Sequence, residues 1–66
     1  MNERAILANC CRRVIDATDG RTVRGARDQC INALVRAGCC PTAATRMTLA
    51  MIRVGQRVGE VARGAA

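Results

Sequence analysis

Apolar residues recur along this chain at helical rather than strand spacing, in three runs separated by short breaks. In the first, from Asn2 to Ala17, the residues Ile6, Leu7, Cys10, Cys11, Val14, Ile15 and Ala17 share one half of a wheel drawn at about 100° per residue. Asn9, Arg12, Arg13 and Asp16 fill the other half. The pattern stops at Thr18-Asp19-Gly20, a turn signal in which glycine tolerates positive φ. The second run, Thr22 to Ala37, has Asp19 or Thr22 as its N-cap and a stripe of Val23, Ala26, Cys30, Ala33, Leu34 and Ala37. Gly25 lies opposite that stripe, Ile31 at its edge and Val35 outside it. Gly38 follows as the left-handed residue after the helix.

The third run opens at Pro41, a favoured first helical residue, with Cys40 as cap, and reaches at least Val61. Ala43, Ala44, Met47, Ala50, Met51, Val54, Val58 and Val61 make its expected inward face. Thr42, Arg46, Arg53, Arg57 and Glu60 line the far side, and Leu49 and Ile52 belong to neither group. Gly55 and Gly59 are expected to loosen its second half, and Arg63-Gly64-Ala65-Ala66 to fray. The periodicity therefore predicts an all-α fold, a small three-helix bundle in one domain spanning 1–66, with helices over about 2–17, 22–37 and 41–61.

Composition qualifies that bundle. The chain has 66 residues and no Phe, Tyr or Trp. A chain of this size buries only about 60% of its unfolded surface, and small side chains each remove little area from water. Homodimerisation is the simplest way to complete such a core.

The formal charge is +6, and every one of the 11 basic residues is arginine. That favours an anionic partner, although arginine without lysine, beside abundant alanine, is also what a GC-rich coding sequence yields. Met1-Asn2-Glu3-Arg4 leads straight into the amphipathic pattern without a secretory apolar stretch, and no run approaches the roughly 20 residues of a membrane span. A cytoplasmic location with reduced thiols is expected, with no membrane role.

The 5 cysteines invite a metal or a disulfide. Two adjacent pairs, Cys10-Cys11 and Cys39-Cys40, lack metal-ligand spacing, because neighbours on a helix diverge by about 100°. No metal and no cofactor are expected. Cys10, Cys11 and Cys30 read as small core hydrophobes, with a bridge from Cys30 to the first helix geometrically open. Cys40, at a helix N-terminus, is the thiol whose pKa the dipole would lower. Histidine, serine and tyrosine are absent, and Glu3, Asp16, Asp19, Asp28 and Glu60 are scattered over polar faces. An acid–base pair or a triad has no residues to draw on, so no enzymatic activity and no catalytic residue are expected.

From Ala33 through Ala37-Gly38-Cys39-Cys40-Pro41-Thr42 to Met47, the chain resembles the helix-turn-helix of bacterial regulators, nearest to the lactose-repressor type with its Ala-Gly-Val-Ser-Pro-Thr turn. It departs from that pattern in having Leu34 where alanine is usual and Cys40 where serine is usual, and it lacks Asn or Gln early in the third helix. The resemblance implies a duplex-DNA-binding regulator in which Thr42, Thr45, Arg46, Arg53 and Arg57 face the major groove or its phosphates. The lack of aromatic side chains speaks against single-strand or RNA binding by stacking. The alternative is a helical protein-interaction module, such as an inhibitor or adaptor. It would bind an acidic protein surface, or a second copy, through Ile31, Val35, Leu49 and Ile52, with an arginine rim.

Overall fold

The computed structural model describes residues 2–64; Met1, Ala65 and Ala66 lie outside the described residues, and with them the last part of the expected frayed tail. The chain forms α1 (Glu3–Asp16), α2 (Gly20–Arg36) and α3 (Pro41–Gly64), and α3 reaches three residues past Val61.

Each boundary has a local cause. Asn2 caps α1, its side-chain oxygen accepting the Ala5 N–H at 2.8 Å. Asp19 caps α2, taking the Thr22 N–H at 2.7 Å. That bond is why α2 begins at Gly20, ahead of the expected Thr22. At the other end of α2 the Cys39 N–H returns to the Leu34 carbonyl at 3.0 Å and the Gly38 N–H to that of Val35 at 3.1 Å. This is a Schellman closure, and it requires the positive φ of 109° that Gly38 adopts. Pro41 then opens α3, with the Cys40 carbonyl accepting the Ala44 N–H at 2.9 Å and the Cys40 sulfur accepting that of Ala43 at 3.4 Å.

The helices run up, down and up. Cys39 beside Glu3 and Gly55 beside Val14 make α3 parallel to α1. Val14 shares a cleft with Val23 beside the short α1–α2 turn, and Ile6 shares a groove with Ala33 farther along, so α2 is antiparallel to α1. Cys30 meets Thr48, and Asp19, Gly20 and Val23 share a cleft with Gln56, Glu60 and Arg63. Thus α2 and α3 stay side by side from their turn to the far end of the bundle. The molecule measures 40 × 21 × 18 Å. A 17-residue α2, about 25 Å long, exceeds either short dimension.

Each helix contributes residues four apart to the core: Ile6, Cys10 and Val14; Ala26, Cys30 and Leu34; Ala44, Thr48 and Ile52. Leu7, Val23, Ile31, Ala33, Cys39 and Met47 pack around them. Thr48 is fully buried, and its hydroxyl donates to the Cys30 sulfur at 3.3 Å. On α1 and α2 the buried residues all belong to the expected stripes, though Ala37 is exposed.

On α3 the expectation is overturned. The buried row is Ala44, Thr48, Ile52, Gly55 and Gly59, turned about 100° from the face that hydrophobicity predicts. Of that face only Ala44 is buried; Ala43, Met47 and Met51 are half-buried, while Ala50, Val54, Val58 and Val61 are exposed. The cause is steric. A Cβ on Gly55 would stand 3.0 Å from the Val14 side chain and 3.1 Å from the Cys11 carbonyl oxygen. One on Gly59 would stand 3.4 Å from the Ile15 carbonyl oxygen. Backbone approach at Gly55 seats α1 on α3, and a valine there would hold the helices apart. At Gly59 the Ile15 carbonyl is at ordinary contact distance, and the nearer neighbour is the Arg63 guanidinium at 3.2 Å.

Two predictions follow from the capping and the packing. Gly25 has no neighbour within 4 Å of an added Cβ, so Gly25→Ala raises stability by about 0.5–1 kcal/mol through helix propensity alone. Gly55→Leu lowers it by about 1–3 kcal/mol through overpacking. Urea unfolding of both variants checks the pair, and stabilisation by Gly55→Leu would contradict the α1–α3 contact. The hydrogen bonds from the Thr22 and Arg21 backbones also hold the Asp19 carboxyl below its usual range. Its contribution is present above the unfolded carboxyl pKa of about 3.9 and is lost as pH falls through the lower folded value. Asp19→Ala therefore lowers the melting temperature at neutral pH, and the gap to the parent closes in strong acid.

Candidate functional site

The outer surface of α3 carries the features with the clearest chemistry. Arg46, Arg53 and Arg57 project within about 40° of one another on the helical wheel, all are exposed, and Thr42 shares their side. Among the described residues the single ion pair joins Arg27 to Asp28 at 3.2 Å. The α3 arginines therefore have no carboxylate within salt-bridge distance there. Glu60 stands on the same surface with Arg53, Gln56 and Arg57 around a shallow depression.

Apolar residues border this arginine row. Val54, Val58 and Val61 are 47%, 45% and 66% exposed, and Leu49, on the opposite edge of the row, is 45% exposed. Arg57, Val58, Val61 and Ala62 surround a shallow, almost wholly apolar depression. Met47, Met51, Val54, Val58 and Val61 are spaced alternately four and three apart, the seam that one helix offers another. The upstream end of the seam, at Met47 and Met51, is half-buried, and the downstream end is open.

The residues proposed from sequence separate accordingly. Thr42, Arg46, Arg53 and Arg57 share one exposed face. Thr45 lies to one side, and its hydroxyl donates back to the Pro41 carbonyl at 2.9 Å, so its proton is already used. Val35 and Leu49 are exposed, whereas Ile31 is half-buried and packed on the core. Ile52 is 7% exposed and part of the core, because the close approach at Gly55 rotates α3 toward it. It is no interface residue. Sequence reasoning missed Val54, Val58 and Val61 as surface residues. The signal available was Gly55 and Gly59, four apart and in phase with Ala44, Thr48 and Ile52, a row of small residues marking where another backbone comes close.

The remaining polar chemistry sits on thiols. All 5 cysteines are free. Burial, with further contributions from the neighbouring thiols of Cys30 and Cys11 and an opposing one from Arg13, pushes the Cys10 thiol up to about 12. Cys39 donates to the Glu3 carboxylate at 3.0 Å, and that bond raises its pKa above the usual thiol value. Cys40, at the start of α3, is exposed. No group of three or more His, Cys, Asp or Glu side chains converges as metal ligands among the described residues. Nor is any described helix long and apolar enough to cross a membrane.

Searches of family models, curated proteins and solved structures returned no match to this chain.

The contact between Cys39 and Glu3 yields a direct test. Replacing the carboxylate in Glu3→Gln removes the charge that keeps the Cys39 thiol protonated, so iodoacetamide should alkylate Cys39 several-fold faster near neutral pH. Site-resolved mass spectrometry measures the rate, and an unchanged rate would remove Glu3 as the cause.

Proposed function

We propose that this chain is a small, basic, non-enzymatic interaction module whose α3 surface binds an acidic partner protein. The observation that carries this reading is the open seam of Val54, Val58 and Val61 beside Arg53 and Arg57, whose guanidinium groups have no carboxylate within salt-bridge distance among the described residues. Such a surface offers apolar area for burial and a charged edge that selects and orients what covers it. Self-association through the same seam would bring Arg53 and Arg57 of two copies together. An acidic occupant is therefore a better complement than a second copy.

Duplex-DNA binding is the second reading. It is favoured by Thr42, Arg46, Arg53 and Arg57 sharing one exposed face, which could follow a phosphate backbone. It lacks support from the turn at Gly38. A helix-turn-helix sets its two helices at about 90–120°, whereas α2 and α3 lie alongside each other along their length.

A photo-crosslinking residue at position 58, in cells expressing the full chain, separates the two. The expected product is a crosslink to a peptide of another protein rich in Asp and Glu, reduced at least tenfold by Arg53→Glu with Arg57→Glu. Crosslinks to a second copy alone would overturn the acidic-partner reading. So would tight, steeply salt-dependent binding of random duplex DNA that Arg46→Ala weakens, without any protein crosslink.

A further inference from the structure

Cys10 of α1 and Cys30 of α2 meet inside the bundle. They are 2% and 4% exposed. Both line a groove of about 200 Å³ between the two helices, edged by Asn9, Arg13 and Gln29. The Cys10 sulfur lies 4.0 Å from the Ala26 carbonyl, one turn ahead of Cys30. Nearby, Arg13 is bonded to Gln29 across the groove. Around Cys30 the α2 side of the groove is built from Ala26 and Ala33, residues small enough for helix axes to come close. From the third helix, Thr48 donates to the Cys30 sulfur at 3.3 Å and holds that side chain in the core. The two thiols also act on each other electrostatically, as expected of adjacent sulfurs.

We propose that Cys10 and Cys30 are a latent disulfide site, closed by exchange with a small-molecule disulfide of the glutathione class. Cys30, the slightly more exposed of the two, makes the first attack. The Cys30 thiolate attacks one sulfur of the small disulfide. Its S–S bond breaks, one small thiolate leaves and takes up a proton, and Cys30 carries the other half as a mixed disulfide. Cys10 then gives up its proton to solvent and attacks the Cys30 sulfur, expelling the second small thiol. The balance is two protein thiols oxidised and one small disulfide reduced to two thiols. Arg13 at the rim of the groove supplies positive charge where an anionic disulfide would enter.

The bridge would span the α1–α2 turn and tie together two helices of a bundle with a small core. A cross-link of this kind limits the freedom of the unfolded chain. Cys10 and Cys11 diverge as neighbours on α1, and Cys39 and Cys40 lie apart from this groove in the α2–α3 turn. The site is independent of whatever α3 binds.

The test uses the full chain, equilibrated with reduced and oxidised glutathione and read by intact mass and tryptic mapping. Trypsin leaves Cys30 alone in the peptide Asp28–Arg36 but Cys10 with Cys11 in Ala5–Arg12. A Cys11→Ala, Cys39→Ala, Cys40→Ser variant therefore resolves the pairing. Expected are the loss of two hydrogens, a link between those two peptides, and a melting temperature higher by about 10 °C. Glutathione adducts that never resolve, disulfide-linked dimers, or a bridged form that melts lower would each overturn the proposal. Should the triple variant not fold, Cys11→Ala alone carries the test, since it leaves Cys10 as the one thiol of Ala5–Arg12, and absence of the link there is equally decisive.

Discussion

The structure depends on one close approach, that of α1 to the glycine row of α3. Val14 packs where the Gly55 side chain would be, and the Ile15 carbonyl lies over Gly59. With no aromatic residues, the bundle cannot fill wide gaps between helices, so its stability rests on bringing backbones near one another. Glycine on α3 allows this at the cost of some helix propensity. Which face of α3 is buried follows from that contact, and so does which face is left for something else.

The consequence for function is a division of labour along α3. Ala44, Thr48, Ile52, Gly55 and Gly59 belong to the bundle, while Val54, Val58, Val61 and the arginines beside them do not. The apolar seam and the arginine row lie side by side on one helix of 24 residues. Such an arrangement presents shape and charge together, with little ordering of backbone on binding. The turn at Gly38 has an architectural role. Its Schellman closure reverses the chain so that α3 returns along α2.

Much of the fold is legible in the sequence. Helix number and order, the Gly38 stop, the Pro41 start and the Asp19 cap all follow from local chemistry, which is decided within a turn or two of chain. The buried rows of α1 and α2 are readable because they lie within apolar stripes opposed by polar and charged residues. On α3 that reasoning fails. Its valines, methionines and most of its alanines form one continuous stripe, so hydrophobicity alone points to that stripe and away from the small residues beside it. The choice is made by size, which acts through a neighbouring helix. Thr48 shows the same limit, since a polar residue enters the core only because the Cys30 sulfur stands ready to accept its hydroxyl. The arginine row was readable as an exposed face, but its apolar border was not, because those valines looked like core.

The orientation of α3 is the claim on which the rest hangs, and methyl NMR with a soluble paramagnetic agent tests it most directly. In the isolated protein the methyl signals of Val54, Val58 and Val61 should broaden strongly, while those of Val14, Leu34 and Ile52 remain sharp. Broadening of Ile52 together with protection of Val58 would mean that α3 faces the bundle with its valines, and would contradict this account.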